Sequence, residues 1–372
     1  MYNKQDYRGD LILKKSVHGG NIDEICRKYN ISKDEITDFS ANINPLGLNE
    51  NIKNSIINSI EEIIHYPDIT YLSLKEEIVK SERINIENLF LGNGAAECIF
   101  NLVRGMKPKN TLLLAPTFSE YEEAVKSVDG NIEYFLLKEE EDFKLNERLI
   151  DRLDESLDLL FICNPNNPTG VITKKDYLEK VIKRAKELNI YVTLDESFLD
   201  FVEDKEKYSV LNLIGKYDNL IVIKSLTKFY AIPGLRIGFG VTNNKELLNK
   251  INKVTMSWNV NTLAEIAATK GLKEENYKKE SINYINTERE YLYNNLKNID
   301  NIKVFKPSVN FIFFKINLNI DLKEELLKYG ILIRSCNNYK GLENKFYRIA
   351  VRTRMENNKI INALNKVFNN ER

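Results

Sequence analysis

Histidine is almost missing from this chain. Of 372 residues only His18 and His65 carry an imidazole, and the four cysteines, Cys26, Cys98, Cys163 and Cys336, are scattered with no C-x-x-C pair. That donor supply leaves no metal site to expect. The cysteines read instead as reduced thiols of a cytoplasmic protein. An excess of charge of one sign is missing too: 54 Lys and Arg balance 54 Asp and Glu, so the chain has no electrostatic call for nucleic acid or a membrane. No apolar run approaches the ~20 residues of a membrane-spanning helix. Met1-Tyr2-Asn3-Lys4-Gln5-Asp6 lacks the apolar core of a signal peptide, which again points to the cytoplasm. Repeats and low-complexity tracts are absent, and the length suits about two domains.

What is present is an alternation. Apolar runs at Leu89 to Leu91, Thr111 to Ala115, Ile132 to Leu137, Leu157 to Cys163, Ile190 to Leu194, Asn219 to Ile223 and Ile237 to Val241 read as strands, separated by helical segments such as Tyr177 to Leu188. This predicts an α/β fold, a mainly parallel, doubly wound sheet covered on both faces. Ahead of it, a short helix from Asn21 to about Tyr29 follows the tight bend His18-Gly19-Gly20, and Glu50 to Ile64 has helical periodicity. After it, a long charged helix is expected over Glu274 to Asn298. Strands at Val309 to Ile316 and Lys345 to Val351 and helices at Leu322 to Tyr329 and Glu356 to Phe368 then suggest a smaller α+β domain. The expected division is an arm over 1–40 that packs with the small domain, a large domain over 41–258, and a linker helix with the small domain over 259–372. The substrate cleft is expected between the two domains.

The loops after the strands carry the chemistry. In Ser225-Leu226-Thr227-Lys228-Phe229-Tyr230-Ala231-Ile232-Pro233-Gly234-Leu235-Arg236-Ile237-Gly238, Lys228 lies at a strand's carboxyl end, where open α/β sheets bind ligands. Alone, S-x-x-K could be one more solvated lysine. With Arg236 eight residues on, the stretch can bond an aldehyde through Lys228 while Ser225 and Arg236 hold an anionic group, and pyridoxal 5′-phosphate (PLP) needs both. Gly92-Asn93-Gly94-Ala95-Ala96-Glu97 opens a helix whose free amides suit a phosphate, with a spacing unlike dinucleotide or triphosphate loops. Phe118 could stack on a pyridine ring or simply be core. Asn167, in the turn Asn164 to Gly170, could hold the ring hydroxyl. Asp195 could cap a helix or face the protonated ring nitrogen. Arg334 and Arg348 sit in apolar runs, where a guanidinium expects an anion. Arg352 and Arg354 would share a strand face with Arg348.

Taken together these motifs resemble the fold-type I, class I/II aminotransferase superfamily of PLP enzymes over essentially the whole chain. The resemblance implies PLP fold-type I with a seven-stranded sheet. Its catalytic residues would be Lys228 and Asp195. The cofactor would be held by Ala95, Ala96, Phe118, Asn167, Asp195, Ser225, Lys228, Arg236 and Tyr66, the last reaching in from the neighbouring subunit of a homodimer with shared active sites. Substrate contacts would come from His18, Gly19, Asn42, Asn167, Arg334 and Arg348.

Within the superfamily the chain looks like the histidinol-phosphate aminotransferases and the L-threonine-O-3-phosphate decarboxylases. His18 to Asn21, Asp38-Phe39-Ser40-Ala41-Asn42-Ile43-Asn44-Pro45-Leu46-Gly47 and Ser225 to Leu235 favour the decarboxylases. So does Asp195-Glu196-Ser197-Phe198, where the aminotransferases usually have Asp-Glu-Ala-Tyr. The implied reaction is loss of CO2 from a small phosphorylated amino acid, with L-serine phosphate and histidinol phosphate as competing substrates. A regulator built on the same fold would need a DNA-binding domain in front, and ~40 residues are too few for one.

Overall fold

The computed structural model describes residues 19–370. Its main sheet has seven strands, in the spatial order Leu89–Gly92, Gly238–Val241, Leu220–Ser225, Tyr191–Asp195, Leu159–Cys163, Asn110–Ala115, Asn131–Leu136. Every pairing is parallel except the two made by Gly238–Val241, which runs against both of its neighbours. The apolar runs explain this arrangement, since Leu159–Cys163 and Leu220–Ser225 are buried at every position and so must be covered on both faces. Helix Lys175–Glu187 supplies part of that cover through Leu178, Val181, Ile182 and Ala185, a stripe at helical spacing. Each large side chain so buried contributes roughly 1.5–3 kcal/mol.

A second, antiparallel sheet has the order Arg334–Ser335, Phe346–Ala350, Phe311–Ile316, Ile302–Val304. Beside it Thr37–Asp38 pairs in parallel with Ile331–Leu332. Phe39, fully buried, fixes the segment there: its amide donates to the Leu332 carbonyl and its carbonyl accepts from the Ala350 amide, both at 2.8 Å. Helix Glu275–Lys297 leads into this sheet with Tyr277, Ser281, Ile285, Glu288, Leu292 and Leu296 on its buried side.

Two expectations change. Glu50 to Ile64 is not one helix: an α-helix over Glu50–Asn58, capped by Asn49, gives way at Ser59 to a 3-10 turn over Ile60–Ile64. That turn buries no residue, so no core contact sustains the α pitch there. Arg352 and Arg354 do not share a strand face with Arg348, because the strand stops at Ala350 and Arg354 begins helix Arg354–Asn370. Their guanidiniums are structural. Arg352 meets Glu356 and the Asp38 carbonyl, and Arg354 meets the buried Glu288, which Asn357 also contacts.

Strand alternation sends neighbouring residues at the strand ends to opposite faces. Behind the sheet, the almost fully buried Lys224 ammonium lies 2.8 Å from Glu82 and 3.1 Å from Asp200, with Lys205 2.8 Å from Asp200. Glu196 is buried nearby, accepting from Ser209 Oγ and the Val210 amide at 2.8 Å each. Burial pushes its carboxyl up to about 7, against the pull of Lys224 and those two donors.

The fold therefore keeps Glu196 protonated between pH 4.5 and 7, where the unfolded chain ionises it. Stability falls as pH rises through that window and stays lower above it, by roughly 3 kcal/mol. Glu196→Gln removes this penalty. Urea denaturation should show the variant gaining roughly 3 kcal/mol on the parent between pH 4.5 and 8, and a pH-independent difference would contradict the assignment.

Candidate active site

A cavity of about 700 Å³ lies at the carboxyl edge of the main sheet, and its walls come from both sheets. Strand Leu220–Ser225 ends at its floor. Lys228 follows in a loop that returns directly to the adjacent, oppositely directed strand Gly238–Val241, so both ends of the loop are held by sheet hydrogen bonds. The loop is also tied from outside: the Asn44 amide donates to the Lys228 carbonyl at 3.1 Å and Asn44 Nδ2 to the Phe229 carbonyl at 2.8 Å.

Lys228 Nζ donates to Ser225 Oγ at 3.3 Å and stands 5.0 Å from the centre of the Phe198 ring. Burial holds this amine below the ordinary lysine value; Asp195 opposes the shift, and Arg236 and Arg348 add to it. Across the cavity Asp195, the last residue of its strand, is 3 % exposed. Its Oδ1 accepts from the Ser197 amide at 2.9 Å and its Oδ2 from the Tyr121 hydroxyl at 2.7 Å. Cys163 also lines the wall, but burial pushes its thiol up to about 12, so it is no nucleophile at neutral pH.

One end of the cavity is an anion cradle. Helix Ala95–Met106 starts here with Ala95 and Ala96 on the wall, beside Ser225, Thr227 and Arg236. Ser225 Oγ and Thr227 Oγ1 share a 2.8 Å hydrogen bond. Gly94 precedes the helix at φ +84°, and a Cβ there would stand 2.5 Å from Arg236 Nη2, so only glycine admits both the turn and the guanidinium. Arg236 itself holds a left-handed backbone at φ +61°, a strain of the kind that gathers at functional sites.

Another part of the lining carries a second guanidinium. Arg348 donates from Nη1 to Asn167 Oδ1 and from Nη2 to the Ser40 carbonyl at 2.7 Å, and its buried Nε has no partner. Gly19 and Gly20 line the cavity too, and Asn42 joins them with a buried Oδ1 that also lacks a partner.

Of the residues expected here, Gly19, Asn42, Ala95, Ala96, Phe118, Asn167, Asp195, Ser225, Lys228, Arg236 and Arg348 all line this one cavity. Two described residues stand apart from it. Arg334 donates to the Ser335 carbonyl and to Asn338 Oδ1, and it opens on a neighbouring cavity of about 260 Å³ that shares Gly19 and Ser40 with the first. Tyr66 is 80 % exposed and packs on Trp258 at 4.8 Å. His18 lies outside the described residues. Sequence reasoning missed Tyr121, Thr227 and Tyr339, the last a cavity residue whose ring lies 5.2 Å from the Arg334 guanidinium. Tyr121 follows Phe118 by three residues, and the fold sets the two rings edge to face.

The donor set suits PLP. Hydroxyls, helix amides and Arg236 match a phosphate, Asp195 a pyridinium and Lys228 an aldehyde. The unpartnered buried Ser197 Oγ leaves a further polar atom for a ligand.

Comparison with known proteins agrees. Residues 34–367 match the family described as aminotransferase class I and II. A threonine-phosphate decarboxylase of Salmonella typhimurium is 34% identical over 96% of this chain and 98% of its own. An adenosylcobalamin biosynthesis bifunctional protein of Leptospira interrogans is 39% identical over 94% of this chain, which spans 41% of that protein. Among solved structures, a histidinol-phosphate aminotransferase from Clostridium acetobutylicum has TM-score 0.83 and 35% identity, covering 89% of this chain and 99% of its own.

Gly94→Ala should force Arg236 out of the cradle. Losing one charge-assisted contact predicts a fall of about tenfold or more in PLP affinity. Absorbance titration of the cofactor measures it, and unchanged affinity would mean that the phosphate binds elsewhere.

Proposed function

The chain belongs to the aminotransferase class I and II family and is a PLP-dependent enzyme, and on that footing we propose that it decarboxylates L-threonine O-3-phosphate. The products are CO2 and (R)-1-aminopropan-2-yl phosphate, a building block of the cobalamin side chain. The likeness to the Leptospira protein supports that setting.

The observation that carries the reading is the buried Arg348, with its free Nε, on the wall of the cavity that also holds the phosphate cradle, with Arg334 in the adjoining cavity. Two guanidinium positions suit a substrate with two anionic groups, a carboxylate and a phosphate. Ser225, Thr227, Arg236 and the helix start at Ala95 would hold the cofactor phosphate, Asp195 the ring nitrogen, Asn167 the ring hydroxyl and Lys228 the aldehyde. Bound there, PLP supplies an electron sink for the pair left when a bond at Cα breaks.

Only a bond perpendicular to the ring plane can deliver its electrons, so the protein chooses the reaction by choosing the substrate's rotamer. Arg348 and Arg334 would anchor the two anions and so decide which bond at Cα is presented for cleavage, a role proposed for His18 as well. Lys228 would be the group that returns a proton to Cα. Burial holds this amine below the ordinary lysine value, which makes it a readier proton donor than a solvated lysine.

A second reading, histidinol-phosphate aminotransferase, is favoured by the likeness to the Clostridium structure. Purified enzyme given L-threonine phosphate should release CO2. Formation of a keto acid in an amino-group exchange with glutamate would favour the second reading instead. L-serine phosphate, one methyl smaller, should be discriminated by only about 1–3 kcal/mol. Lys228→Ala should abolish turnover, and Arg348→Gln should lower kcat/KM by about 100-fold.

The proposal includes a cytoplasmic homodimer with shared sites. The four unpaired cysteines suit that compartment, and among the described residues no helix is long and apolar enough to cross a membrane. Ile57, Ile60, Ile63, Ile64, Tyr66 and Ile69 are exposed in one stretch, joined to exposed Met256 and Trp258 by the contact between Tyr66 and Trp258. Such apolar surface fits a second copy of the chain. If Tyr66 acts across the dimer, Tyr66→Ala and Lys228→Ala subunits refolded together should regain about a quarter of full activity, since half the dimers are mixed and each has one intact site. No recovery would place Tyr66 outside the partner's site.

A further inference from the structure

We propose that Tyr121 is a positioning residue for the cofactor, acting through Asp195: its hydroxyl fixes the carboxylate that faces the ring nitrogen. The inference rests on the PLP reading and goes beyond it.

Asp195 has two carboxylate oxygens, and each is taken by a different donor. The Ser197 amide holds Oδ1 at 2.9 Å, a local bond two residues along the chain. Tyr121 Oη holds Oδ2 at 2.7 Å from a helix on another part of the sheet. One donor alone would leave the carboxylate free to swing about its Cβ–Cγ bond. Two donors on separate oxygens lock the plane and aim the remaining lone pairs into the cavity.

Tyr121 is well made for this task. It is fully buried, its ring lies flat on Phe161 at 4.8 Å and 9°, and its edge meets Phe118 at 5.6 Å and 83°. Burial, reinforced by the Asp195 charge, raises its phenol well above the ordinary value, so it donates at every working pH. Phe118 is itself a cavity wall. A single side chain thus supports two cofactor-facing groups, one through its hydroxyl and one through its ring edge, and substitution can separate them.

Tyr121→Phe keeps both ring contacts and removes only the hydroxyl. A hydrogen bond to a charged group predicts about a 10- to 100-fold weaker PLP dissociation constant for this variant, read from cofactor absorbance on the intact protein. The decisive comparison repeats the substitution in an Asp195→Asn background. If Tyr121 works through the Asp195 charge, its removal there should cost about threefold or less, a coupling that a packing role would not produce. Equal losses in both backgrounds, or no loss in the parent, would overturn the proposal while leaving the PLP reading intact. A parent protein that bound no PLP would overturn both.

Discussion

Asp195 and Lys228 share one buried cavity and, among the described residues, make no ion pair with each other. The carboxylate is satisfied by Tyr121 and the Ser197 amide, and the amine by Ser225. In a medium of low dielectric, opposite charges collapse onto each other unless something else meets their needs. On the other side of strand Leu220–Ser225 that collapse has happened, with Lys224 drawn onto Glu82 and Asp200. The cavity face resists it because each charge already has local partners and the sheet spacing keeps their backbones apart. An amine and a carboxylate thus stay apart on the wall of one cavity, each open to a ligand.

The sheet makes this economical. Parallel strands end at one edge, so residues distant in sequence reach one cavity through single loops: Ala95 and Ala96, Phe118, Asn167, Asp195, and Ser225 with Lys228. The reversed strand Gly238–Val241 adds Arg236 by bringing the chain straight back beside Leu220–Ser225 instead of through a helical crossover. The small sheet and the segment beside it then contribute Arg348, Tyr339, the Gly19 bend and the run from Ser40 to Ile43.

Much of this was legible in the sequence, because it is written in short loops after apolar runs. Lys228, Asp195, Asn167 and Gly94 each sit where a strand or helix boundary fixes the backbone, and local signals suffice there. What escaped depends on packing between distant elements. Tyr121 reads as an ordinary helix residue until the fold sets it against Asp195, 74 positions away. The ion cluster around Lys224 joins residues from three separate segments, and no spacing announces it. Arg352 and Arg354 were misplaced because the strand pattern of Phe346–Ala350 continues smoothly into residues that the helix Arg354–Asn370 claims through Glu288. Glu50 to Ile64 carries a helical period throughout, yet only its first half has a core to face.

Arg348 grips Asn167 of one wall and the Ser40 carbonyl of the other at the same time. An incoming anion finds Nε without a partner but must compete with these contacts for Nη1 and Nη2. Recognition at this guanidinium is consequently a trade of partners, whose net gain is the difference between two similar quantities. A bidentate grip on a carboxylate through Nε and one Nη would therefore leave one of these two contacts to be exchanged.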